Sequence, residues 1–70
     1  MYLYEKIKAT RLQRNFTQEY VAEKIGVSVT AYGQIERGKT PAISLKRLEL
    51  IADTLGIGVT EIIENKQPEQ

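Results

Sequence analysis

The sequence predicts an all-α fold of five short helices, and three observations point that way. Apolar residues recur at three- and four-residue spacing through most of the chain. Nothing alternates with period two for long enough to make a strand. Small polar residues and glycines break the apolar pattern at short intervals, in the order expected of helix starts and stops.

Each element follows from local chemistry. Residues 3–14 read as a first helix with Leu3, Ile7 and Thr10/Arg11 on one side, and Asn15 stands where the chain needs a left-handed residue. Thr17 is a good N-cap for a second helix running to about Ile25, with Val21, Ala22 and Ile25 inward and Gly26 as its stop. Val27 is expected to be a buried corner residue, and Ser28 caps a third helix that reaches about Arg37 and is closed by Gly38. Pro41 bars helix in the following loop. Ser44 caps a fourth helix with Leu45, Leu48, Ile51, Ala52 and Leu55 inward, ended by Gly56. A short fifth helix carries Val59, Ile62 and Ile63; only one of the two isoleucines can point fully inward, which makes the other a candidate dimer contact. The expected division is one folded domain over residues 1–64 and a polar tail over residues 65–70.

Composition excludes several function classes. With no cysteine and no histidine, the 70 residues lack a disulfide framework, the usual zinc ligands and the usual general base. Glu19 and Glu23 lie four apart without a third ligand, and no serine has a base to activate it, so neither a metal site, a catalytic site nor a cofactor is expected. A hydrophobic content of 41% is too high for a disordered chain. No apolar run approaches the roughly 20 residues that cross a bilayer, and residues 1–6 do not resemble a secretory signal, so a cytoplasmic, non-enzymatic protein without a membrane partner is expected.

The net charge of +1 conceals a polarity. Residues 1–47 carry nine bases against four acids, whereas residues 48–70 carry one base against five acids. This asymmetry suits a polyanion facing the first part, and equally suits two differently solvated surfaces.

Residues 21–30 (VAEKIGVSVT) align without a gap to residues 51–60 (IADTLGIGVT), sharing Ala, Gly, Val and Thr at four positions. Two copies are too few for a repeat array; the echo reads as two helix-turn-helix units that solve one packing problem. Charge separates them. On a helix turning about 100° per residue, Val29, Thr30, Gly33, Gln34 and Arg37 share an acid-free arc opposite Ala31, Tyr32 and Ile35. That arc offers a carboxamide for adenine, a hydroxyl, and an apolar group for a thymine methyl. Tyr32 is assigned to the core. Gly33 costs about 1 kcal/mol against Ala in a helix, which close approach to a groove wall or to another helix would explain. The last helix of the second unit carries Glu61 and Glu64 and would be repelled by phosphate. Around the first unit, Gln18 and Ser28 open helices, where backbone N–H groups favour phosphate, Lys39 follows the third helix, and Arg14 adds long-range attraction.

Residues 17–28, TQEYVAEKIGVS, followed by Tyr32 and the run Ile35, Glu36, Arg37, Gly38, Lys39, resemble the helix-turn-helix of the lambda and 434 repressor/Cro (XRE-type) family, over about residues 5–63. The resemblance implies a compact five-helix repressor-like DNA-binding domain that binds its operator as a dimer. It implies that Gln18 holds phosphate, that Val29, Thr30 and Gln34 read bases, that Lys39 contacts the backbone, and that Arg11 and Glu36 form a buried ion pair. Thr10, Asn15 and Gly58 depart from the residues usual in the family, and Val29 and Gly33 are less polar than many relatives at their positions. The candidate DNA-binding set is Thr17, Gln18, Ser28, Val29, Thr30, Gly33, Gln34, Arg37 and Lys39. The expected partners are double-stranded DNA and a second copy of the chain. The alternative is a protein-interaction module on the same scaffold, an antitoxin or anti-repressor, suggested by the weak net charge and the acidic, apolar last helix.

Overall fold

The computed structural model describes residues 3–41 and 43–64 and contains five α-helices among them: α1 (Leu3–Gln13), α2 (Gln18–Ile25), α3 (Val29–Glu36), α4 (Leu45–Leu55) and α5 (Val59–Glu64). Residues 65–70, expected as a tail, and Tyr2 lie outside the described residues.

Helix starts follow the capping chemistry. The hydroxyls of Thr17, Ser28 and Ser44 accept hydrogen bonds from the backbone N–H groups of Tyr20, Ala31 and Arg47 at 3.0, 3.1 and 3.0 Å. Gly58, which has no hydroxyl to offer, instead donates its N–H to the Glu61 carboxylate at 3.2 Å, the return half of a capping box.

The first four helices share one closure. At each end a left-handed residue donates back one turn, and the residue after it reaches further back to a second orphan carbonyl. These are Asn15 and Phe16 after α1, Gly26 and Val27 after α2, Gly38 and Lys39 after α3, and Gly56 and Ile57 after α4. The echo between residues 21–30 and 51–60 is this closure built twice. Gly26 (φ 80°, ψ 31°) and Gly56 (φ 77°, ψ 29°) are nearly superposable, and Val27 and Ile57 both donate to an alanine carbonyl at 3.0 Å.

One core unites all five helices: Ile7 from α1, Val21, Ala22 and Ile25 from α2, Tyr32 and Ile35 from α3, Leu48, Ile51, Ala52 and Leu55 from α4, and Ile62 from α5. Helix α2 packs on α3 and α4, while α1 lies across α3, α4 and α5. Ile62 is fully buried and Ile63 half-buried, so Ile63 is the more outward of the pair.

Three expectations about the core are corrected. Leu45 is 57% exposed, because as the first residue of α4 it lies beyond the body that the helix covers. Ala31 is exposed, because α3 packs against the body only from Tyr32 onward. Val27 is half-buried rather than buried, packed at the rim of the core.

Candidate nucleic-acid interface

A polar cluster around Glu36 ties α1 and the start of α2 to α3. Arg11 of α1 donates to both carboxylate oxygens, from Nε to Oε2 at 2.6 Å and from Nη2 to Oε1 at 3.1 Å. The remaining guanidinium nitrogen donates to the Phe16 carbonyl at 2.8 Å. The Tyr32 hydroxyl donates to Oε2 at 2.5 Å, and the Gln18 amide donates to Oε1 at 3.0 Å. The cluster therefore joins α1, the α1–α2 turn, α2 and α3, and the Glu36 side chain is only 1% exposed.

Such burial would be costly for an unpaired carboxylate. Burial alone pushes the Glu36 carboxyl up, but the hydrogen bonds from Arg11, Tyr32 and Gln18 outweigh it and hold the group below the usual carboxylate value. The same contact with Glu36 raises the Arg11 guanidinium further. Burial, reinforced by the neighbouring carboxylate, pushes the Tyr32 hydroxyl well above its ordinary value. Glu36 is thus an anion with its charge already spent, and it adds no free negative charge to α3.

Helix α3 has two unlike halves. Tyr32, Gly33, Ile35 and Glu36 are buried, whereas Val29, Thr30 and Ala31 are all exposed. The first three residues of α3 are thus open to solvent, as a helix entering a groove requires. Val29 is 40% exposed. Gln34 is half-buried, and Arg37 and Lys39 are exposed.

The nine candidate residues divide into distinct placements. Thr17 and Ser28 are exposed caps whose hydroxyl oxygens accept from backbone, which leaves each O–H available to donate. Gln18, half-buried in the first turn of α2, gives one of its amide hydrogens to Glu36 and keeps the other. Val29, Thr30, Gln34 and Arg37 lie along α3 and its C-cap, with Lys39 just beyond. Gly33 is not an exposed member of the arc. It is buried, and the group over it is the Arg37 guanidinium, with Nη1 3.3 Å from where a Cβ would stand. Another helix is not what crowds it. Arg14 also has a local task, since its Nε donates at 2.7 Å to the Leu55 carbonyl at the end of α4.

Sequence reasoning missed the bonds from Tyr32 and Gln18 to Glu36. The first had a signal in the four-residue spacing of Tyr32 and Glu36 on one helix. The second joins residues 18 apart and had none.

No helix of the described residues is long and apolar enough to cross a membrane, and no group of three or more His, Cys, Asp or Glu there is placed to hold a metal ion.

Comparison with known proteins bears on this geometry. A helix-turn-helix family model matches residues 7–62. The chain is 41% identical over 59 residues to an immunity repressor protein of Bacillus phage phi105; this covers 84% of the chain and 40% of the phage protein, so the chain spans less than half of that relative. It is 36% identical over 58 residues to the HTH-type transcriptional regulator YazB of Bacillus subtilis (strain 168), covering 81% of each. Two solved structures with 26% identity are similar in fold. One, a complex of SinR protein with SinI protein, superposes with a TM-score of 0.81 over 91% of this chain and 62% of that chain. The other, SinR as master regulator for biofilm formation in complex with DNA, gives 0.79 over 87% and 97%. With residues 7–62 matched, the chain belongs to the XRE-type helix-turn-helix family, a family of DNA-binding transcriptional regulators rather than enzymes.

Proposed function

We propose that this chain is a sequence-specific transcriptional repressor that binds a two-fold-symmetric operator as a dimer, each α3 lying in a major groove. The observation that carries the reading is the free first turn of α3, where Val29, Thr30 and Ala31 are exposed and no acid is left unpaired on the helix. Val29, Thr30 and Gln34 meet base edges in this reading, with the Gln34 carboxamide suited to adenine and Val29 to a thymine methyl. Thr17, Gln18, Ser28 and Lys39 hold phosphates from the helix starts and the loop, which fixes the register. Ile63, the more outward isoleucine of α5, contributes to the dimer contact, and half-sites then lie about one helical turn apart. The protein works in the cytoplasm, where its DNA is. The names of the phage repressor and the DNA-bound neighbour support this reading.

Selection from a random duplex pool, with wild type and Gln34→Ala, tests it. A palindromic motif is expected, with the variant losing preference at one symmetric pair of positions. Sequence-blind binding, or none, contradicts it.

A second reading has its own observation, the neighbouring structure in which SinR is held by another protein. On that reading the scaffold serves a protein partner, as an antitoxin or anti-repressor would. Failure of the duplex selection together with a toxin-like reading frame beside the gene would favour it.

A further inference from the structure

We propose that Arg37 is a specificity-determining residue that reads a guanine in the major groove, and that Gly33 is the seat that positions it. This inference rests on the DNA-binding reading above and adds to it a side chain, a base and a reason for a glycine in mid-helix.

The geometry begins at Gly33. A Cβ there would meet Arg37 Nη1 at 3.3 Å, Nη2 at 3.7 Å and Cζ at 3.8 Å. The whole guanidinium therefore lies along the helix backbone, one turn back from its own residue. Helical side chains lean toward the N-terminus and cover the residue four positions earlier. Arg37 follows that rule, and the missing Cβ lets its planar head settle close. Gly33 has an ordinary negative φ, so no left-handed turn requires a glycine here.

The position suits a reading role. The side chain comes back from the end of α3 toward the free first turn, along the arc shared by Val29 and Gln34. Arg37 remains exposed although it covers Gly33. The acids close by are Glu36, already paired with Arg11, and Glu5, which lines a hollow of about 360 Å³ with Tyr4, Glu36, Arg37 and Gly38. A guanidinium offers two parallel N–H donors in a rigid plane to the O6 and N7 acceptors of guanine, whereas an ammonium reaches the same acceptors only as a flexible point charge. Holding the long side chain in place beforehand lowers the ordering cost of binding.

Duplex selection with wild type, Arg37→Lys, Arg37→Ala and Gly33→Ala tests the assignment. Wild type is expected to select guanine at one symmetric pair of positions. Arg37→Ala should lose about ten-fold or more of the discrimination at that pair while keeping preference at the others. Arg37→Lys keeps the charge and a donor for guanine but not the planar fork, and should lose part of that discrimination, less than Arg37→Ala. Gly33→Ala should fold with an unchanged or higher melting temperature and yet weaken the guanine preference, a split that a purely structural glycine would not produce.

Three results would overturn the inference. If Arg37→Ala weakens all duplexes alike and lowers the slope of affinity against salt by about one, Arg37 is a phosphate contact and the repressor reading stands. If Gly33→Ala leaves the guanine preference intact, the seat does not position the side chain. If wild type selects no motif at all, the DNA-reading function itself fails, and this inference with it.

Discussion

Glu36 gathers four side-chain hydrogen bonds in the interior of the fold. It accepts from Arg11, Tyr32 and Gln18 and so ties α1 and the start of α2 to α3. Removing one partner of a buried ion pair costs about 3–5 kcal/mol, against a total stability of roughly 4–10 kcal/mol for a domain of this size. Glu36→Ala is therefore expected to remove a large share of the stability and lower the urea midpoint markedly, which a urea titration followed by circular dichroism would measure. A variant with the wild-type midpoint would contradict the role. The cluster also sets the pH behaviour. Because the Glu36 carboxyl is held below its ordinary value, its contribution is complete above the usual carboxylate range and is lost as pH falls through its lowered value. Because the Tyr32 hydroxyl is held above its ordinary value, its contribution is complete below about pH 10 and declines as pH rises beyond that. Tyr32→Phe should flatten the alkaline decline, read from melting temperatures on either side of pH 10.

At the scale of elements, caps and closures were the most legible features, because each is written in a few adjacent residues. Thr17, Ser28 and Ser44 cap as their side chains suggest, and the left-handed stops fall at Asn15, Gly26, Gly38 and Gly56. Replacing Gly26 by alanine forces a Cβ into a left-handed conformation, which costs about 1–2 kcal/mol even though the space around it is open. The expected fall in melting temperature would be absent if the closure were incidental. Helix faces are less legible, because burial is not uniform along a helix. A wheel carries no information that α3 is buried only from Tyr32 onward, which leaves Ala31 exposed, or that Leu45 begins α4 beyond the core. It also treats side chains as radial spokes, and so cannot see that Arg37 folds back to cover Gly33. The Arg11–Glu36 pair was reached by resemblance to a family; no spacing in this chain predicts a contact across 25 residues.

Across the whole molecule, one core draws on every helix. Leu55, 1% exposed, sits where α4 ends against its neighbours. Truncating it to alanine should cost about 2–5 kcal/mol and show as a lower urea midpoint with sequence preference retained in the folded fraction. The division of charge along the chain matters at the same scale. Its bases are concentrated in residues 1–47, the part that contains α3, while the acids of α5 lie on the other helix-turn-helix unit. Two structurally echoing units thus differ in what they can approach, and on the proposed function DNA meets the first. The most direct test is an amide chemical-shift titration with the selected duplex. The account predicts the largest changes at residues 28–39 and at the start of α2. Changes centred on residues 58–64, with α3 unaffected, would contradict it.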